Sequence, residues 1–260
     1  MLDTAQRTAA AGLLRTAERD RTPIAPLAHT FPGIDAVDAY EIQLIGIRRR
    51  LAAGATVRGH KVGLSSEVMQ RMMGVDEPDY GHLLDDMVLP GPAVDASRYC
   101  FPRIEVEIGY VLGKPLPGEG CTTEDVLAAT EYVVPALELI DSRISDWRIG
   151  LADTIADNAS SAGVILGDAR VAPRDLNLAD IEAVLHQDGT EIARGNTSAV
   201  LGDPTEAVAW LARKVAAFGV RLEAGHLVLP GSCTRAVDVG PGDTFRADFD
   251  GLGSVSARFA

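Results

Sequence analysis

The chain has 260 residues, with 24 Lys and Arg against 37 Asp and Glu, a formal net charge of −13 at pH 7; 47% of its residues are hydrophobic and 23% charged. That balance describes a soluble globular protein able to bury a real core, and it excludes a disordered, charge-dominated chain. The surplus of acid also excludes a nucleic-acid partner, because phosphate binding needs a positive footprint.

The opening stretch carries Asp3, Arg7 and Arg15 where a secretory signal needs an apolar run. It reads as an amphipathic helix, and the expected location is the cytoplasm. Asp35 caps a helix that Gly54 stops, with Val37, Tyr40, Leu44, Ile47 and Leu51 at helical spacing. A short helix from Ser65 or Ser66 to Gly74 carries Val68, Met69, Met72 and Met73, either as core packing or as a mobile lid. Residues 103–108 alternate strictly, the signature of a strand. Thr122 and Asp125 form a capping box that starts a helix into VLAATEYVV. Residues 132–141 read as a buried strand whose one acidic interior position is Glu138; Pro135 and Glu138 break its apolar run, so no membrane span is expected.

Asp188-Gly189 suits a tight hairpin. Asp203 caps a helix with Pro204 at its first position, Val208, Leu211, Val215 and Phe218 along it, and Gly219 as its stop. Short strands follow at 226–231, 244–249 and 254–259. Cys100, Cys121 and Cys233 show no metal or redox spacing and read as reduced, buried thiols. Strands and helices do not alternate in the βαβ manner. The pattern is α+β: a helical N-terminal portion with its lid over 1–75, then a β-rich catalytic domain over 76–260, together one compact unit.

Glu105 and Glu107 lie two apart on a strand and share a face with Arg103, while Ile104, Val106 and Ile108 take the other. A solvated face with Arg103 as partner is one reading. The third carboxylate, Glu138, favours another: an all-oxygen site for Mg²⁺ or Mn²⁺, since no cysteine or histidine converges with them. By the same alternation Asp141 faces away from Glu138 and suits a turn or a hydrogen-bond acceptor. Lys61 stands between Gly59 and Gly63, where it could exchange protons or hold a carboxylate, and His60 points the other way. Asp79, in the turn-rich run 76–81, is a catalytic carboxylate or a turn residue. Ser161 in 157–163, and Ser232 and Thr234 in 230–234, can offer donors to a substrate carboxylate, as can Arg143. Walker, GxSxG and HExxH motifs are all missing.

Taken together, Gly59-His60-Lys61-Val62-Gly63-Leu64-Ser65-Ser66, Met73 to Gly81, Glu105-Val106-Glu107 and Glu138 to Arg143 resemble the 2-hydroxypenta-2,4-dienoate (vinylpyruvate) hydratases of the fumarylacetoacetate hydrolase superfamily. The likeness spans nearly the whole chain and is greatest to hydratases of bacterial sterol-ring breakdown that act on 2-hydroxyhexa-2,4-dienoate. It implies a roll of mixed β-sheets around the site, a divalent metal and a homo-oligomer. On this chain it places metal ligation at Glu105, Glu107 and Glu138, proton handling at Lys61 and Asp79, and substrate contact at Ser161. His60 stands where many relatives have arginine, and Ser65 where many have threonine. The implied reaction is ketonisation of a 2-hydroxydienoate and addition of water at C4, giving a 4-hydroxy-2-oxo acid that a pathway aldolase could receive. Decarboxylation of 4-oxalocrotonate, C–C hydrolysis of an acylpyruvate with His82 as base, and a non-catalytic metal-binding role are the alternatives.

Overall fold

The computed structural model describes residues 1–260. Its elements in chain order are α1 (Thr4–Asp20), α2 (Leu27–Thr30), α3 (Ala36–Ala52), β1 (Val57–Gly63), α4 (Glu67–Met73), β2 (Asp79–Leu84), β3 (Ala93–Val94), β4 (Arg103–Leu112), α5 (Thr123–Ala129) and β5 (Thr130–Ile140). After them come α6 (Leu151–Ala156), β6 (Ser161–Leu166), β7 (Glu182–Gln187), β8 (Thr190–Asn196), α7 (Pro204–Ala216), β9 (Leu227–Leu229), β10 (Val237–Asp238), β11 (Thr244–Phe249) and β12 (Gly253–Phe259). No helix is long and apolar enough to cross a membrane.

Seven strands form one sheet in the order β2-β1-β9-β4-β5-β6, with β10 added to β4. Register shifts in the β1–β2, β4–β5 and β5–β6 pairings bend it. The sheet curls until its edge strands β2 and β6 come back into contact. A second sheet, β3-β12-β11-β7-β8, packs against β5 and β6 through β12. This is the expected α+β roll of mixed sheets. The first sheet crosses residue 75, since β1 pairs with β9, and one hydrophobic cluster takes side chains from Leu2 to Phe259.

The N-terminal helices begin where their caps direct. Asp3 and Gln6 bond reciprocally at the start of α1, and Asp35 and Asp38 do the same for α3. Of the expected stripe on α3, Tyr40 and Ile47 are buried, but the buried face turns towards Ala39, Ile42 and Gln43, while Val37 is 58% and Leu51 39% exposed. The rotation follows from Asp38, whose buried carboxylate accepts from Leu2 N–H and from Arg7, tying α3 to α1.

Three other expectations are corrected. Val68, Met69 and Met72 on α4 are exposed, so that helix is not core. The helix begun at Thr122 stops at Ala129, and the β-branched run from Thr130 enters β5 instead. Helix α7 ends at Ala216, leaving Phe218 beyond it and 43% exposed.

Candidate active site and metal centre

Strands β4 and β5 run antiparallel with Glu105 opposite Glu138, and Glu107 follows two residues along the same face. One carboxylate oxygen from each of the three lies within 4.8 Å of the others. Glu107 and Glu138 are buried, and half of each carboxylate is satisfied: Gly231 N–H donates to Glu107 Oε2 at 2.8 Å, and Ser161 Oγ to Glu138 Oε1 at 2.8 Å. The remaining oxygens, Glu107 Oε1 and Glu138 Oε2, are buried with no hydrogen-bond partner.

Buried anionic oxygens without donors are costly unless a cation meets them. The strain shows in the protonation of Glu105 and Glu107. Burial, only partly offset by Lys61, pushes Glu105 up to about 7. Burial, reinforced by Glu138 and Glu105, pushes Glu107 well above the usual carboxylate range. Oxygen ligands of this kind fit a hard divalent cation with open positions for water or an oxyanion. The alternative reading, with Arg103 neutralising the face, fails: its guanidinium pairs with Asp238 at 2.7 Å and lies over the Trp147 ring.

Lys61, near the end of β1, brings the one buried cation to this cluster. Its Nζ lies 3.4 Å from Glu138 Oε2 and donates to the Ala159 carbonyl at 3.0 Å. Burial pushes the ammonium down, but Glu138, Glu105, Asp79 and Glu107 outweigh it and hold Lys61 above its ordinary value. Asp79 starts β2 directly opposite Gly63 and is buried rather than left in a solvated turn. Its Oδ2 accepts from Thr154 Oγ1 at 3.2 Å, whereas Oδ1 has no partner. Burial raises the Asp79 carboxyl despite Lys61 nearby.

Gly63 has a specific job here. A Cβ on it would collide with Asp79 Oδ1 and stand 3.4 Å from Lys61 Nζ, so the absent side chain leaves the space these two groups border.

The other expected residues divide by what they touch. Ser161 bonds Glu138 and so orients a metal-ligand candidate. Ser232 Oγ accepts from Val106 N–H at 3.1 Å, pinning the loop that aims Gly231 N–H at Glu107. Thr234 Oγ1 spends its proton on the Arg235 carbonyl. Arg143 is held by Asp157, Nε to Oδ1 at 2.5 Å and Nη2 to the backbone carbonyl at 2.7 Å, which makes it an anchor for the chain after β5. Asp141 accepts from Cys100 and Phe101 N–H groups, as alternation suggested. His82 is unsuited to serve as a base for C–C hydrolysis: it lies on the other face of β2 from Asp79 and bonds Gln43. Sequence reasoning missed Thr154, the Ala159 carbonyl and Gly231 N–H; two are backbone groups, which leave no residue-type signal.

A curled sheet that presents three carboxylates beside a buried lysine and a buried aspartate suits an enzyme site that holds a divalent metal. The chain belongs to the fumarylacetoacetate hydrolase family, whose C-terminal profile matches residues 82–260. It is 44% identical to the 2-oxo-hept-4-ene-1,7-dioate hydratase of Escherichia coli over the full length of both chains. It is 45% identical to the 2-keto-4-pentenoate hydratase of Paraburkholderia xenovorans, covering 98% of this chain and 95% of that one. To the 2-hydroxyhexa-2,4-dienoate hydratase of Comamonas testosteroni it is 42% identical, covering 95% and 94%. Among solved structures, the 4-oxalocrotonate decarboxylase of Pseudomonas putida, complexed with magnesium and adipate, superposes with a TM-score of 0.96 at 39% identity, covering 100% of this chain and 99% of that one. The same enzyme is also known with calcium and acetate.

Proposed function

We propose that this chain is a divalent-metal-dependent hydratase that converts a 2-hydroxyalka-2,4-dienoate to a 4-hydroxy-2-oxo acid. The observation that carries the reading is the buried lysine–aspartate pair set beside three carboxylates, two of which aim unsatisfied oxygens into one space. Hydratases at 41–45% identity over nearly the whole chain support it.

Glu105, Glu107 and Glu138 would hold the cation, with Mg²⁺ or Mn²⁺ the ions that suit their oxygens. When bound, the cation draws electron density from the 2-oxo acid and offsets the negative charge that gathers there. Lys61 stays an ammonium with three donors; the Ala159 carbonyl takes one, and Glu138 Oε2 at 3.4 Å is an ion-pair partner without a hydrogen bond. A donor left over can hold the substrate or supply a proton. Asp79, with its carboxyl raised by burial and its Oδ1 free of partners, is placed to exchange protons with the substrate. Ketonisation takes a proton from the C2 hydroxyl and delivers one to carbon; hydration then places hydroxyl on C4 and a proton on C3. Lys61 and Asp79 move these protons between them, and Thr154 fixes the orientation of Asp79 through Oδ2.

Homo-oligomeric assembly, sterol or aromatic catabolism and transfer of product to an aldolase belong to the same proposal. The test is the purified chain with Mg²⁺ and a panel of 2-hydroxydienoates, followed by loss of dienoate absorbance and identification of the product. Decarboxylation is the second reading, favoured by the TM-score of 0.96 to the Pseudomonas putida decarboxylase. Release of CO₂ from 4-oxalocrotonate without hydration of dienoates would select it. Metal binding without turnover of either substrate would select the non-catalytic role.

A further inference from the structure

Between α6 and β6 the chain passes through three consecutive residues in left-handed backbone conformation: Asn158 (φ 58°), Ala159 (φ 51°) and Ser160 (φ 55°). Residues with a Cβ resist this region, asparagine least. Three in a row, with the Ser160 hydroxyl buried and unpartnered, make a turn imposed from outside rather than by its own preferences.

The imposing contacts are identifiable. The Asn158 side chain docks on the backbone of β2, accepting from His82 N–H at 2.8 Å and donating to the His82 carbonyl at 2.9 Å. Gly81, the preceding residue, lets the Asn158 carbonyl approach so closely that any Cβ there would collide with it. Upstream, Asp157 is fixed by Arg143; downstream, the Ser160 carbonyl accepts from Asp141 N–H. The turn held in this way aims the Ala159 carbonyl at Lys61 Nζ, and Ser161 Oγ at Glu138.

We infer that Asn158 is a positioning residue for the reaction: its side-chain clamp on β2 holds the strained turn whose Ala159 carbonyl orients the Lys61 ammonium. This deepens the hydratase reading and rests on it. Asparagine at this position supplies both requirements at once, tolerance of the left-handed backbone and a paired donor and acceptor for a strand's peptide group.

The experiment separates those two requirements in the Mg²⁺-loaded full chain. Asn158→Gly keeps the backbone freedom and deletes the clamp. Asn158→Asp keeps the left-handed tolerance and the acceptor for His82 N–H. The expected result for Asn158→Gly is a loss of about 10–100-fold in kcat with KM changed less than about 3-fold, because Lys61 is misaligned for the proton step rather than removed. Asn158→Asp is expected to retain more of kcat than Asn158→Gly.

A second readout is independent of turnover. The chain has only three lysines, Lys61, Lys114 and Lys214, so ¹⁵N-lysine labelling gives a spectrum that can be assigned by substitution. In the parent protein the Lys61 ammonium is expected as a resonance protected from solvent exchange, and in Asn158→Gly that protection is lost. A Gly variant with kcat within about 2-fold of the parent, or one with an unchanged Lys61 signal, overturns the assignment. So does an Asp variant less active than the Gly variant. A parent protein that hydrates none of the dienoates overturns the hydratase reading instead, while the Lys61 resonance still decides whether Asn158 positions that side chain.

Discussion

Replacing Lys61 by Met removes the charge and one heavy atom, the ammonium nitrogen itself, while keeping an unbranched apolar stem of similar volume, so it probes the ammonium with little loss of packing. Lys61 Nζ stands 3.4 Å from Glu138 Oε2. At an effective dielectric of 20, that attraction is about 5 kcal/mol, and breaking a buried pair typically costs about 3–5 kcal/mol of stability. The metal-free variant should therefore melt roughly 10 °C below the parent, given a shift of about 2–4 °C per kcal/mol in a chain of this size. Added Mg²⁺ or Mn²⁺ brings back a positive charge to the same carboxylates and no longer competes with the ammonium. The metal-induced rise in melting temperature is then larger in the variant than in the parent. Turnover should nevertheless fall by about 10²–10⁴-fold at saturating metal, because restored charge does not restore a proton donor. Differential scanning fluorimetry across a metal titration, with dienoate absorbance for rates, measures both. Turnover within about 3-fold of the parent would refute the role of Lys61, and a smaller metal response in the variant would refute the electrostatic argument.

Gly63→Ala places a methyl group against Asp79 Oδ1 and beside Lys61 Nζ, so kcat should drop at least about 10-fold while metal affinity, measured calorimetrically, holds. Arg143→Leu should act on stability, by about 3–5 kcal/mol in denaturant melts, because it strands the buried Asp157; a soluble variant of parental stability with a raised KM would restore Arg143 as a substrate contact. Burial pushes His82 down to about 4 and His60 well below its ordinary value. Below pH about 6.5 the unfolded chain therefore takes up protons that the folded chain refuses, so stability falls on acidification, by about 1.4 kcal/mol per pH unit for each imidazole down to about pH 4 for His82. Denaturant melts of the metal-saturated protein at pH 7 and 5.5 check the direction, and His60→Leu should flatten the slope.

The sequence disclosed this site to the extent that it was written in side chains with strong periodicity. Alternation along 103–108 put Glu105 and Glu107 on one face, and the lone acid in an apolar strand marked Glu138; the register of β4 with β5 brings all three together. Spacing marks Lys61, between two glycines, and leaves Asp79 either catalytic or a turn residue; pairing the two as the proton-handling groups comes from the family resemblance. What stayed hidden was written in the backbone. The Ala159 carbonyl and Gly231 N–H acquire their roles only through tertiary contacts. The buried face of α3 was misread because Asp38, a polar residue, is the one that locks against α1, and hydrophobic spacing carries no information about a buried ion pair. Thr234 and Arg143 were plausible by chemistry, and their donors are bound to Arg235 and Asp157 instead.

The account rests most heavily on a divalent cation held by Glu105, Glu107 and Glu138, and anomalous diffraction from crystals grown with Mn²⁺ tests it directly. One strong peak per chain is expected, within coordination distance, about 2.1 Å, of an oxygen from each carboxylate. A peak at any other acidic group, or none among these three, would contradict it.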